Sequence, residues 1–140
     1  MDTVTPERRS AIMARIRGKD TLPELAVRRA VHSMGYRFRL HRRDLPGKPD
    51  LVFPTSRKVI FVHGCFWHAH EGCSRAFMPK SSKKFWSDKL LGNRARDARN
   101  EDSLRGTGWG VRVVWECEIA DPSLPRKLKR FLGPRRSRRS

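Results

Sequence analysis

The segment spanning residues 63–82 constrains the fold more than any other. It shows neither helical nor strand periodicity, yet it gathers three of the five histidines and two of the three cysteines. A connection of that length without secondary structure of its own is uncommon in a compact domain unless it is functional, and its residue types point to folding around a metal. Three cysteines cannot all pair within one chain, and a cytosolic setting keeps thiols reduced. Cys65-x4-His70-x2-Cys73, completed by Cys117 from a distant strand, supplies four soft or borderline ligands, the number that a closed tetrahedral zinc site requires. His68 also lies between the cysteines and His63 just before them, so the choice of imidazole stays open. The competing reading makes Cys117 a small buried hydrophobe and the other two free thiols, which the polarity of the loop disfavours.

Around this loop the periodicities are regular. Thr5-Pro6-Glu7 reads as a helix start, with Ile12, Met13 and Ile16 on one face. A second helix is predicted from 21 to 34, with Leu22, Leu25, Ala26, Ala30 and Val31 as its apolar stripe and Gly35 as its end. Strands are predicted at 36–40, 51–53 and 59–62. A helix from 83 to about 104 follows, then a buried strand at 111–115 that delivers Cys117, and a short helix from 122 to 132. Helices flanking a mixed sheet give an α/β or α+β domain. A chain of 140 residues can build one core, so residues 1–133 are expected to form a single domain. Residues 134–140, rich in arginine, are expected to be a disordered tail until they meet phosphate.

A net charge of +18 is extreme for this size, and its self-repulsion calls for a polyanionic partner. Charge identifies nucleic acid as a partner class without identifying any chemistry. No stretch has the apolar length of a membrane span, and residues 1–10 lack a secretory signal, so a soluble, cytoplasmic protein is expected.

Three acids fall where chemistry is plausible. Asp50 precedes a strand and His63 closes the neighbouring one, so hairpin pairing would bring carboxylate and imidazole together. Phosphodiester cleavage needs a hard cation, whose preferred ligands are carboxylate oxygens, and Asp50 is the obvious first ligand. An ordinary turn residue fits Pro49-Asp50 about as well. Thr21-x-x-Glu24 also matches a capping box, which on its own is the favoured reading of Glu24. Trp86, Lys89 or Leu90, Asn93 and Asp97 recur along one side of a helix, although pairing of Asp97 with Arg94 or Arg99 on a solvated surface fits the periodicity slightly better. Phe66 and Trp67 cannot both face one core. An exposed aromatic in a basic protein can insert between base pairs, whereas core packing is the usual fate of any single aromatic.

Taken together, Pro46-Gly47-Lys48-Pro49-Asp50, the run from Val59 through His63-Gly64-Cys65-Phe66-Trp67-His68, then Phe85-Trp86, Asn93, Asp97 and Trp115-Glu116-Cys117 resemble the very-short-patch repair endonucleases. The likeness covers residues 6 to 118, and the block His-Gly-Cys-Phe-Trp-His is its most specific part. The resemblance implies a restriction-endonuclease-like core of the PD-(D/E)XK superfamily, in which Phe61-Val62-His63 replaces the usual Glu-x-Lys. It implies Mg2+ held by Asp50 and the backbone carbonyl of Val62, which stands where the family has threonine. His68 would be the general base, His63 and Asp97 would support the hydrated metal, and Glu24 would orient His68 or a metal-bound water.

By the same likeness Cys65, His70, Cys73 and Cys117 would hold structural Zn2+, although two residues separate His70 from Cys73 where the family typically has one. Phe66, Trp67 and Trp86 would form a wedge in the major groove, Met13 would insert from the minor-groove side, and Lys89 and Asn93 would contact DNA. The implied reaction is hydrolysis of one strand 5′ of the thymine in a T·G mismatch left by deamination of 5-methylcytosine. A monomer is expected, acting on double-stranded DNA near the nucleoid, with a functional link to a cytosine-5 methyltransferase and to general mismatch-repair proteins. Two rivals stand beside it: a related restriction-like nuclease acting on matched or modified DNA, and a non-catalytic zinc-stabilised DNA-binding protein.

Overall fold

The structure is a computed structural model that describes residues 21–68, 70–73 and 82–134. The helix predicted near Thr5, Met13 with it, and nearly all of the basic tail lie outside the described residues. In chain order the elements are α1 (Leu22–Ser33), β1 (Arg39–Leu40), β2 (Leu51–Phe53), β3 (Lys58–His63), α2 (Lys83–Gly106), β4 (Gly110–Trp115), a 3₁₀ turn (Glu116–Glu118) and α3 (Leu124–Leu132). The four strands form one mixed sheet in the order β1-β2-β3-β4. The first two pairings are antiparallel and β3 pairs β4 in parallel, with α2 in the crossover.

β3 is an apolar run because both of its faces are covered. Ile60 points to one side with Leu51, Phe53 and Val114, where Val27 and Val31 of α1 and Leu124, Leu128 and Leu132 of α3 complete a cluster. Val59 and Phe61 point to the other side, where they meet Val52, Leu104 of α2 and Trp109. The single core expected from chain length is thus divided by the sheet into two layers. Each fully buried aliphatic side chain in them contributes roughly 1.5–3 kcal/mol relative to exposure.

Two expectations change. The stripe predicted for α1 is rotated: Glu24, Val27 and Val31 face inward, while Leu22 is 70% exposed. A partnered carboxylate has displaced a leucine from the core face. The strand predicted at 36–40 shrinks to Arg39–Leu40, an exposed edge. Tyr36 instead buries its ring and donates its hydroxyl proton to the Gly133 carbonyl. Gly35 does end α1, with φ of 94°. No helix among the described residues is long and apolar enough to cross a membrane.

Candidate functional site

β2 begins and β3 ends at the same end of the sheet, where the crossover also departs, and this is where the polar residues gather. An open cleft of about 1720 Å³ there is lined by the first turn of α1, the chain before β2, the end of β3, the loop after it and one face of α2. Gly47 makes the loop before β2 fit. Its φ is 77°, and a Cβ there would lie 3.0 Å from the Asn100 Cβ and 3.1 Å from the Phe61 ring.

One wall of the cleft carries Asp50. Its Oδ2 accepts from the Val62 amide at 2.7 Å, the direct consequence of the β2–β3 register, in which Leu51 opposes Ile60. Burial pushes the Asp50 carboxyl up to about 7; the Val62 hydrogen bond opposes the shift and the Glu24 charge adds to it. Glu24, almost fully buried, reaches the Arg28 guanidinium and Nε2 of His41, the latter at 2.8 Å. Thr21 caps α1 by accepting from the Glu24 amide at 3.3 Å, so half of the predicted capping box is present. The Glu24 carboxylate, however, points to cationic and imidazole partners. Donor atoms of Glu24, His41 and Asp50 all lie within 4.8 Å of one another, close enough to share a cation.

The other group is His63, His68 and Asp97. His68 Nδ1 and Asp97 Oδ2 are 2.5 Å apart, and the rings of His63 and His68 stack at 3.8 Å with a 2° tilt. Burial would raise the Asp97 carboxyl, but the hydrogen bond from His68 and the charge on that imidazole prevail and hold it below its ordinary range. Burial, reinforced by His68, drives the His63 imidazole down to about 3. Its Nδ1 is buried without a hydrogen-bond partner among the described residues. Asp97, expected to pair with Arg94 or Arg99 on a solvated surface, instead partners His68 in the cleft, and Arg94 turns to Glu71 at 3.3 Å.

Asp50, His63 and His68 therefore line one cleft as two adjoining groups, where a single convergent cluster was expected. Glu24 sits with Asp50 and His41, where a partnership with His68 was one of its expected roles. His41 was missed altogether. The only signal for it was the strand register, which, carried one step beyond Leu40, sets His41 opposite Asp50.

A third group is held by the β3–β4 pair. His63 opposes Trp115, so Cys65 and Cys117, each two residues further on, emerge side by side. His70 lays its ring on Trp115 at 4.0 Å and brings Nδ1 to 3.5 Å from the Cys117 Sγ. Donor atoms of Cys65, His70, Cys73 and Cys117 lie within 4.8 Å of one another, and neither His63 nor His68 joins them. Burial pushes the Cys65 thiol up to about 12. Three thiols and one imidazole in mutual reach fit a four-coordinate metal ion that stabilises the thiolates.

Phe66 meets Trp67 and Trp86 edge-on and the two indoles are tilted against each other, with centroids 5.1 to 6.0 Å apart. None belongs to either core cluster, and the adjacent Phe85 is 60% exposed. All three are half-buried. Lys89 is exposed on α2, while Asn93 donates its side-chain amide to the Trp67 carbonyl at 3.0 Å and so anchors the aromatic loop.

Comparison with known proteins bears on this arrangement. The family profile described as DNA mismatch endonuclease Vsr matches residues 1–75. The type II nicking enzyme V.XorIIP of Xanthomonas oryzae is 54% identical over 134 residues, covering 95% of this chain and 98% of that protein. The type II nicking enzyme V.NmeAIP of Neisseria meningitidis is 40% identical, covering 90% of this chain and 89% of its own. The DNA mismatch endonuclease Vsr of Escherichia coli is 36% identical, covering 89% and 83%.

Proposed function

Because the chain belongs to the Vsr family and is a DNA endonuclease, we propose that it hydrolyses one strand of a duplex on the 5′ side of the thymine in a T·G mismatch. The names of its Xanthomonas and Neisseria relatives as nicking enzymes support cleavage of a single strand, and the name of its Escherichia relative supports action at mismatches. Family membership removes the non-catalytic alternative. The observation that carries the reading is the His68–Asp97 pair lining the same cleft as the half-buried Asp50 carboxylate.

Asp50 and the Val62 carbonyl would hold Mg2+, which would neutralise charge building on the phosphate and lower the pKa of an attacking water. His68 takes the proton from that water. Its Nδ1–H is engaged by Asp97, which leaves Nε2 as the basic nitrogen and fixes the ring. Asp97, held anionic, stabilises the imidazolium that forms. His63 backs the His68 ring by stacking and, kept neutral by burial, adds no competing positive charge. Cys65, His70, Cys73 and Cys117 would hold Zn2+, whose role would be structural. The core around them is of PD-(D/E)XK type, with Phe61-Val62-His63 at the position of the usual Glu-x-Lys.

Phe66, Trp67 and Trp86 act as a wedge from the major groove, with Met13 on the minor-groove side and Lys89 near the DNA backbone. A wobble pair is easier to unstack than a matched one, so the wedge itself discriminates. Trp67→Ala is expected to reduce the ratio of T·G to matched cleavage roughly tenfold, by losing part of the few kcal/mol exchanged on wedging, while duplex affinity changes little. Asn93 binds the main chain at Trp67, so its anchoring survives the substitution. An equal loss in affinity for both duplexes would make Trp67 a packing residue. The substrate fits a functional partnership with a cytosine-5 methyltransferase, whose product deaminates to thymine.

The proposal is tested by mapping products on an end-labelled T·G duplex and its matched counterpart in Mg2+. A nick 5′ of the mismatched thymine is expected. Equal cutting of the matched duplex would favour the restriction-like reading.

A further inference from the structure

The proposed cation site leaves His41 without a role, although its imidazole is the third donor beside Glu24 and Asp50. Nε2 of His41 lies 2.8 Å from Glu24 Oε2 and 4.0 Å from Asp50 Oδ1. The same Glu24 oxygen accepts from the Arg28 guanidinium. An oxygen that accepts from a guanidinium is a carboxylate oxygen, so the proton between Glu24 and His41 sits on Nε2.

The backbone explains how the ring comes to be there. Arg39 opposes Val52 and Leu40 opposes Leu51. The next step sets His41 against Asp50, and the His41 amide donates to the Asp50 carbonyl at 3.2 Å. There the chain leaves the strand with a φ of 49° at His41, a left-handed conformation that a Cβ disfavours. Such a conformation persists where the surroundings over-determine it, and it gathers at functional sites. The residue is half-buried in the wall of the cleft.

We infer that His41 is a positioning residue of the cation site: its Nε2–H, together with the Arg28 guanidinium, holds the Glu24 carboxylate beside Asp50 and so keeps two like charges ready for one cation. Glu24 would otherwise swing away from Asp50. The inference rests on the proposed role of Asp50 in holding Mg2+.

Titration calorimetry of Mg2+ into the full-length, zinc-loaded protein tests it, paired with the Mg2+ dependence of nicking. The proteins compared are the wild type, His41→Leu, His41→Gln and Asp50→Asn, each checked for folding by thermal melting. Glutamine carries an N–H donor close to the Nε2 position; leucine fills space without one. His41→Leu is expected to weaken Mg2+ binding roughly tenfold or more, as when a partner that orients a metal ligand is lost. It should raise the Mg2+ concentration for half-maximal nicking by the same factor, with a much smaller change in the rate at saturating Mg2+. His41→Gln is expected to restore most of the affinity. If leucine disturbs the fold, His41→Ala takes its place.

Wild-type Mg2+ affinity in a folded His41→Leu or His41→Ala protein would overturn the inference. So would an equal loss in His41→Gln, which would make the imidazole a direct ligand. Failure of the underlying reading has a different signature, since Asp50→Asn would then still bind Mg2+.

Discussion

Asp50→Asn is expected to lower the rate of nicking by at least about 1000-fold, the equivalent of the several kcal/mol of charge stabilisation that a bound metal ion supplies, while making the magnesium-free protein more stable. Both effects follow from one carboxylate. Asparagine keeps an oxygen that accepts from the Val62 amide, so the hydrogen bond at 2.7 Å survives. What disappears is a charge placed in a buried position beside Glu24, which lifts the Asp50 carboxyl from 3.8 to about 7. Because the folded pKa is raised, the protonated carboxyl is the form the fold favours. Its contribution is complete below about pH 4 and is lost as pH rises to about 7, as linkage requires for a raised acid.

At pH 8 the substitution should therefore stabilise the protein, by on the order of 1–3 kcal/mol after discounting for partial solvation. Near pH 4 the gain should vanish. Thermal melts at the two pH values in buffer free of magnesium and of chelator provide the measurement. Added Mg2+ should raise the melting temperature of the wild type and leave that of Asp50→Asn unchanged. A variant destabilised at pH 8 would mean that Asp50 is a structural residue.

The second large effect is expected on removing zinc. In zinc-finger peptides a structural zinc site is worth roughly 10–16 kcal/mol at neutral pH, as large as the whole net stability of an ordinary domain. Here the proposed zinc ligands would tie the loop after β3 to the turn after β4, since Cys65, His70 and Cys73 gather at Cys117. Stripping the metal with a strong chelator, or substituting Cys117→Ser, should leave that loop without its anchor and collapse the cooperative melting transition. Phe66, Trp67 and His68 lie in the same loop, so nicking should be lost as well. It should return with added Zn2+ and not with Mg2+. A metal analysis of the purified protein that found no zinc would remove the site.

Much of this was legible in the residues, for identifiable reasons. The cysteines and His70 are rare, chemically distinctive side chains, and the apolar run of β3 has the composition of a strand buried on both faces, so the cysteine–histidine cluster and the sheet could be anticipated. β4, expected to be buried, is instead an edge strand that is mostly half-buried. What failed depended on geometry that spacing does not encode. Glu24 reads as a capping residue on a polar face, yet it is buried, because Arg28 from its own helix and His41 from another element supply partners. Asp97 reads as a surface acid among arginines, yet the turn after β3 delivers His68 to it. His41 sits in a basic run, Leu40-His41-Arg42-Arg43, and looks like any solvated residue there. Only the register with Asp50 and the left-handed turn distinguish it.

The division of the expected single cluster into two adjoining groups has the same origin. Strand pairing sets Asp50 beside Val62, and the loop and α2 then decide where the imidazoles fall. The two groups face a shared cleft, which is the arrangement that a phosphate bound between a cation and a general base requires.

The most direct test is a crystal structure of the protein on a T·G duplex with Mn2+ in place of Mg2+, located by its anomalous scattering. The expected result is a peak at coordination distance from the Asp50 carboxylate and the Val62 carbonyl, with the His68 imidazole facing the phosphate 5′ of the mismatched thymine. A peak away from Asp50, or a phosphate bound on the far side of the sheet from His68, would contradict the assignment.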